Sequence, residues 1–405
     1  MLVVFVAPMF SPAATQMIEA ALAVPQVRLA VVCQQPLDAL VSRLSRQLVG
    51  HWQVDDITDA VQLEWAVQSL WERHGPVDRC FGAYEQLQYP LAVVRERLGI
   101  PGLSSNAALL FRDKAKMKDE LRAAGLPVAR HALLSSMADA RRFAAEVGFP
   151  LVVKPHAGAG ALATARADNI SELESLLVQH DANSYRPVLA EEFLQGMEHS
   201  LETVSIYGQA VWHSITRYAP TPLEVLENPW IQWTVLLPRE VDAAEYDDIR
   251  DIGARALTTL GMTTGVTHCE WFRRVDGSVA ISEIAARPPG AHMTTMMSRA
   301  GDYDFVQAWA HLLIHGSFTP PERKYAVGTA YLRGQGRGRV TRVEGLDIVQ
   351  RELGSMICDS QIPEPGQYPT GSYEGEGFIM VRHEDTSVVQ SAVMRIVSNV
   401  RVHLA

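Results

Sequence analysis

Read for alternation of apolar and polar positions, the chain opens with short, wholly apolar runs. Met1 to Val6 and Arg28 to Cys33 predict buried strands, and Val77 to Phe81 a third. Helical periodicity lies between them, most clearly from Leu63 to His74. Strands alternating with helices predict a small parallel α/β domain, which Ile100-Pro101-Gly102 closes with turn chemistry. The loop after the first strand, APMFSP, lacks GxGxxG spacing, so a dinucleotide site there is not expected.

One helix is predicted from Asn106 to Ala124, capped by Asn106 and stopped by Gly125-Leu126-Pro127. A small α+β alternation follows. It has a helix at Ser136 to Val147, a strand at Pro150 to Lys154, a glycine-rich loop at His156 to Ala161 and a strand near Leu162 to Arg166. A helix near Ser171 to Gln179 and a strand at Val188 to Phe193 complete it. Two hairpins are predicted beyond: one turns at Tyr207-Gly208, the other at Asp276-Gly277. Between them lie a loop rich in Pro and Trp, Ala219 to Trp233, and a long helix, Asp242 to Leu260. From about Pro320 the pattern mixes strands, glycine-rich turns and a closing helix, Ser387 to Val400.

The second hairpin carries chemistry. Asp-Gly is the favoured two-residue turn because both central residues take positive φ. With Asp276-Gly277 in that turn, cross-strand partners have numbers summing to 553, and Glu270 faces Glu283. Facing like charges destabilise a sheet. A divalent cation bridging both would compensate, and Mg2+ accepts one or two carboxylates with phosphate oxygens. The alternative is two solvated glutamates on an open face. Alternation puts His268, Glu270 and Phe272 on one face with Ile281, Glu283 and Ala285, so that a flat ring lies beside the acids. Phe272 as plain core is the competing reading.

Other pieces are weaker singly. Lys154 ends the run VVK and precedes PHAGAGA, where a lysine and backbone N–H groups can meet polyphosphate. Lys114 lies in the basic cluster FRDKAKMK, which by itself suggests solvated charge. The stretch EEFLQGMEHSLE suits a hinge whose backbone reads a base, with Glu198 as acceptor for ribose hydroxyls; an acidic surface turn is the alternative. Arg287, before Pro288-Pro289-Gly290, can clamp a phosphoryl group or an oxyanion, or pair structurally with Glu283. His268, His292, Arg217 and the Trp230/Trp233 loop are candidate substrate contacts, each with an ordinary structural role as alternative. RGQGRGR, Arg333 to Arg339, reads as a turn or an anion contact.

Composition narrows the class. At 405 residues two or three lobes are expected, and 47% hydrophobic with 20% charged residues is ordinary for a globular enzyme. A formal charge of -10 argues against nucleic acid as partner. No run approaches a membrane span, and MLVVFVAPMF lacks the basic leading segment of a signal peptide, so no membrane partner and a cytoplasmic location are expected. Cys33, Cys80, Cys269 and Cys358 lack zinc or CxxC spacing and are expected to be reduced.

In order, the motifs DK at Asp113-Lys114, VVKP with its glycine-rich loop, EEFLQGMEHSLE, CEWF and SEIAARPPG resemble the ATP-grasp superfamily from about Met1 to Gly336. The resemblance implies an α/β and α+β multidomain chain with the ATP-grasp fold, a Rossmann-like N-terminal pre-domain and a C-terminal lobe. It places the pre-domain at 1–104, the core at 105–319 with a lid about 130–195, and at 320–405 a lobe completing the large domain. It further implies that Lys114 and Lys154 contact ATP phosphates beneath Gly158 and Gly160, and that Glu191, Glu192, Phe193 and Leu194 hold adenine. Glu198 would take the ribose and Phe272 the base; Glu270 and Glu283 would ligate Mg2+, with Mn2+ as substitute, and join Arg287 in catalysis. The family often has Asn where Ala285 stands, which leaves the number of metals open.

Within the superfamily the chain looks most like L-amino acid ligases (dipeptide synthases) and carnosine-synthase-like enzymes. That implies small amino-acid, carboxylate and amine substrates, an amide formed through an acylphosphate, and compatibility with a homodimer. Biotin carboxylase has a similar layout, but its base Glu is here Ala291, before His292. A nucleotide-synthesis enzyme of the superfamily and a non-catalytic ATP-binding module are the further alternatives.

Overall fold

The computed structural model describes residues 1–157, 164–228 and 230–405. The expected phosphate cover at Gly158 and Gly160 lies outside the described residues. Among the described residues the strands form four sheets, and no helix is long and apolar enough to cross a membrane.

The first sheet holds β1 (Leu2–Ala7), β2 (Arg28–Cys33), β3 (Gly50–Gln53) and β4 (Val77–Phe81), all parallel, in the order β3-β2-β1-β4. The apolar run of β1 is divided by its pleat. Val3, Phe5 and Ala7 join one core, while Leu2, Val4 and Val6 join another with Leu63 and Leu70 of the helix Ala60–His74. A strand covered on both faces reads as continuously apolar for this reason. β3, GHWQ, is half-exposed and too polar to be found from its pattern. The first core also contains Trp309, whose ring meets Phe81 edge-on at 5.5 Å. This domain is thereby docked on the helix Phe305–His315.

The helix expected from Asn106 to Ala124 is two helices, Ser105–Arg112 and Lys114–Ala123. Ser104, not Asn106, caps the first by accepting from the Ala107 N–H. Asp113 adopts extended backbone (φ -95°, ψ 104°) and caps the second, accepting from the Ala115 and Lys116 N–H groups. A short carboxylate competes for backbone donors in this way. The break makes Lys114 the first residue of a helix, with its backbone N–H donating to His156 O at 2.9 Å.

The second sheet is antiparallel, in the order β5-β8-β6-β7: β5 (His131–Leu134), β6 (Leu151–Pro155), β7 (Ala165–Ala167) and β8 (Val188–Glu192). Helices Met137–Val147 and Ile170–Gln179 cover one face through Phe143, Leu173 and Leu177.

The largest sheet contains β9 (Gly196–Ile206), β10 (Gln209–Ala219), β11 (Thr234–Leu237), β12 (Gly265–Arg274), β13 (Val279–Ala285) and β14 (Ala326–Leu332). β15 (Gly334–Gly336), β16 (Val340–Glu344) and β19 (Arg401–Leu404) make a separate small sheet, whereas β17 (Ile357–Gln361) and β18 (Gly377–His383) extend the large one. Its order is β13-β12-β9-β10-β11-β14-β18-β17. The β9–β10 hairpin turns as expected at Tyr207 and Gly208, both at positive φ (48° and 80°).

The β12–β13 hairpin reaches the expected pairing by an unexpected route. Of Asp276 and Gly277 only Gly277 has positive φ (84°), and its N–H bonds to Arg274 O. This is a three-residue loop, so Trp271, Phe272 and Arg273 pair with Ile281, Ala280 and Val279. A bulge at Ser282 then adds one residue, and Glu270 faces Glu283 after all. One expectation fails as a result. Ile281 lies opposite Trp271 and packs with it in the core behind the sheet, off the face of Glu270 and Glu283.

The Ala219–Trp233 stretch, expected as loop, contains a short helix, Pro222–Glu227, capped by Thr221. Arg333 pins it. One guanidinium nitrogen donates to Val225 O (2.9 Å), Ile231 O (2.7 Å) and Asn228 O (3.3 Å). RGQGRGR thus begins with a structural anchor, and its Gly334–Gly336 segment is a strand. Arg333→Met should leave these carbonyls without a buried donor and lower unfolding free energy by about 1–3 kcal/mol. Urea denaturation checks this as a reduced midpoint at unchanged slope.

Candidate functional site

Between the second sheet, the large sheet and the first domain lies a cavity of about 930 Å3. Strands β9, β12 and β13 form its floor through Glu198, His268, Glu270, Phe272, Glu283 and Ala285. The second sheet and the segment that follows it contribute Lys154 and Glu191 to Gly196; the first domain contributes Tyr84, Glu85 and Gln86.

Glu270 and Glu283 are directly paired, and cations surround them. Lys114 Nζ lies 2.9 Å from Glu283 Oε1. Lys154 Nζ lies 3.0 Å from Glu191 Oε2, and Lys118 Nζ lies 2.7 Å from Glu191 Oε1. Lys118 is fully buried and also donates to Ser282 O, the carbonyl of the bulge next to Glu283. Burial lowers its pKa to about 8, with attraction to Glu191 opposing the drop. Burial likewise opposes charge on Lys154, but Glu191 and Glu283 outweigh it and hold the pKa above its ordinary value. Burial disfavours the Glu191 carboxylate, yet Lys118 and Lys154 bring its pKa to about 2. The Glu191 side chain therefore belongs to an ion network, and its backbone is paired with Val152 of β6.

Lys118 was absent from the sequence expectations. Its signal was the four-residue spacing from Lys114, which puts both on one helical face.

On the floor His268 is held between two carboxylates, with Nδ1 2.9 Å from Glu202 Oε1 and Nε2 3.4 Å from Glu270 Oε1. Burial would lower its pKa, but these two bonds raise it to about 9. Glu202, fully buried, also accepts from Ser200 and Thr216. His268 thus orients Glu270 from below. Burial, and then the Glu270 charge, raise the Glu198 carboxyl well above the ordinary range. Phe272 pairs with Glu198 across β12 and β9 and lines the same cavity.

Arg287 lines the cavity but does not pair with Glu283. Its Nε donates to Glu85 Oε2 at 2.8 Å, a buried carboxylate on the loop after β4. Burial disfavours the cation, but Glu85 outweighs it and raises the pKa. Nothing in the sequence connects these residues, 202 positions apart.

Other expected residues are placed differently. Glu192 joins β8 to its neighbours through Arg130 (2.8 Å) and Arg274 (3.1 Å), and Phe193 lies under the Arg166 guanidinium at 4.7 Å; both still line the cavity with Leu194. Arg217 is not in the lining. Strand alternation sends Tyr218 into the cavity, while Arg217 bonds to Glu245 and Tyr246. His292 is absent from the lining as well. With φ 56° it precedes the helix Met293–Gly301 and packs on Phe378 at 4.1 Å. Trp233 is buried in the cavity wall, whereas Trp230 is 65% exposed.

Among the described residues no group of three or more His, Cys, Asp or Glu is arranged to hold a metal. The floor offers two hard oxygen donors side by side. That set fits Mg2+ or Mn2+ when phosphate oxygens and water complete the shell.

Residues 119–301 match the sequence profile of the ATP-grasp domain. The matched segment holds Lys154, Glu191, Glu198, Glu270, Glu283 and Arg287, and the chain carries an ATP-grasp domain within the ATP-grasp fold. It is 25% identical over 262 residues to the L-arginine-specific L-amino acid ligase of Bacillus subtilis, covering 62% of each chain. It is 28% identical over 222 residues to the D-alanine–D-alanine ligase of Ectopseudomonas mendocina, covering 52% of this chain and 68% of that one. The chain thus spans about three fifths to two thirds of these curated relatives. The crystal structure of L-amino acid ligase from Bacillus licheniformis matches with TM-score 0.79 and 18% identity, over 100% of this chain and 98% of that one.

Lys118→Met should destabilise the protein by about 3–5 kcal/mol, because it removes a cation from the buried Glu191 carboxylate. The double variant with Glu191→Gln should lose clearly less than the sum of the single losses. Denaturation of the four proteins measures the difference; strict additivity would mean that the two residues are uncoupled.

Proposed function

We propose that the chain is an ATP-dependent carboxylate–amine ligase that joins amino acids, or an amino acid and another amine, through an acylphosphate. The observation that carries this reading is the facing pair Glu270 and Glu283 beneath Lys114 and Lys154. The ligase relatives support it. In this reading 1–104 is the pre-domain, 105–319 the core with its lid about 130–195, and 320–405 the completing lobe.

ATP is a substrate here. Lys114 and Lys154 hold its phosphates; the backbone from Glu191 to Leu194 and the Phe272 ring hold adenine; Glu198 meets the ribose. Glu270 and Glu283 would hold Mg2+, which when bound supplies charge neutralisation at the phosphates. An oxygen of the substrate carboxylate attacks the γ-phosphorus and ADP leaves. The amine nitrogen then attacks the acyl carbon, loses a proton, and phosphate departs as the amide forms. Arg287, fixed by Glu85, stabilises the acylphosphate and the oxyanion of the tetrahedral intermediate. His268 keeps Glu270 oriented. Positioning and fixed charge thus supply most of the catalysis.

ADP and phosphate formation should depend on both a carboxylate and an amine. A pairwise amino-acid screen for phosphate release, with mass spectrometry of products, is the test. Release of AMP and pyrophosphate would exclude the scheme. Glu270→Gln and Glu283→Gln should each lower kcat/KM by roughly a hundredfold or more, with circular dichroism unchanged.

A further inference from the structure

The cavity extends beyond the groups assigned to nucleotide and phosphate. Part of its wall is formed by Met17, Tyr84, Tyr218, Trp233, Met293 and Tyr373, which come from separate segments of the chain and pack in one core. We infer that this part of the wall takes the side chain of the acyl-donating amino acid, and that this side chain is large and uncharged. The inference rests on the ligase reading above.

The wall is built to hold its shape. Ser11 caps the helix Pro12–Ala23, and its Oγ lies 2.7 Å from the Tyr84 hydroxyl, which ties the helix bearing Met17 to the loop bearing Tyr84. Trp233 is stacked on Tyr331 (4.7 Å) and meets Tyr373 (4.7 Å) and Tyr218 (5.6 Å) edge-on. The Tyr218 hydroxyl reaches Met293 Sδ at 3.8 Å.

This wall adjoins the reacting groups. Burial, reinforced by the Glu270 charge, raises the pKa of the Tyr218 hydroxyl. Burial and the neighbouring Glu374 act most on Tyr373, followed by Glu270 and Arg287. A carboxylate held near Arg287 would therefore project its side chain among these rings. Of the charges near these rings, Arg287 and Glu85 pair with each other, while Glu374 beside Tyr373 is outside the cavity lining. A charged side chain placed among these rings would lose its water. A thioether, branched aliphatic or aromatic side chain meets rings and methionine sulfur, which adapt to its shape. Glu224 and Glu227, on the short helix by the cavity, are where a basic substrate would be read instead.

The experiment uses the full chain with ATP and Mg2+, donors from Leu, Met, Phe, Ala, Arg and Glu, and a panel of amine acceptors. Fragment mass spectrometry identifies the acyl residue of each product. Leu, Met or Phe should exceed Ala, Arg and Glu in kcat/KM by about tenfold or more. Met17→Trp should fill the pocket from its half-buried helix and cut kcat/KM for large donors about tenfold, moving preference toward Ala. Met17→Ala should move preference the other way, toward Trp as donor, and stands in should the larger variant fail to fold. Preference for Arg, Glu or Ala in the unaltered protein, or a preference that neither Met17 variant moves, overturns the inference and leaves the ligase reading standing. ADP formation from no pair at all overturns both.

Discussion

Glu270 and Glu283 stand opposite each other on β12 and β13, where like charges destabilise a sheet, and the surrounding charge is arranged around that repulsion. Lys114 pairs with Glu283 from one helix, while His268 Nε2 lies 3.4 Å from Glu270 beneath it. Lys118 and Lys154 bracket Glu191, which lets two cations be buried near the pair without repelling one another unchecked. Breaking a buried pair is costly because the remaining charge has no water. The network is therefore interdependent: the strand β6, the helix Lys114–Ala123 and the bulge at Ser282 share the same set of ions.

The first domain enters this arrangement at one place. Its apolar face is docked through Phe81 and Trp309, and that contact brings the loop after β4 over the cavity. Glu85 then fixes Arg287 from outside the ATP-grasp segment. A domain without a dinucleotide motif of its own thus has a direct structural part in the site.

Elements with a local signature were legible in the sequence. The runs of β1, β2 and β4 are apolar because both faces are covered, and the tight turn at Tyr207-Gly208 names its own hairpin. The two glutamates, Lys114, Lys154, Phe272 and Arg287, which strand ends, turns and motif order mark, all line one cavity. What was missed depends on distant partners or on competition for backbone donors. The break at Asp113 looks like continuous helix until its carboxylate takes two N–H groups. Lys118 looks like one more surface lysine until the strands close over it. Arg217 sits one position from Tyr218, and that single step decides which side of the sheet it occupies.

The meeting of Glu270 with Glu283 comes from two departures that cancel: a three-residue turn and one extra residue at Ser282. A change of length by one residue in either place would rotate every later side chain of β13 to the wrong side, whereas matched changes in both would not. Length variation in this hairpin is therefore governed by parity. Anyone grafting it between scaffolds must carry turn and bulge together as one cassette.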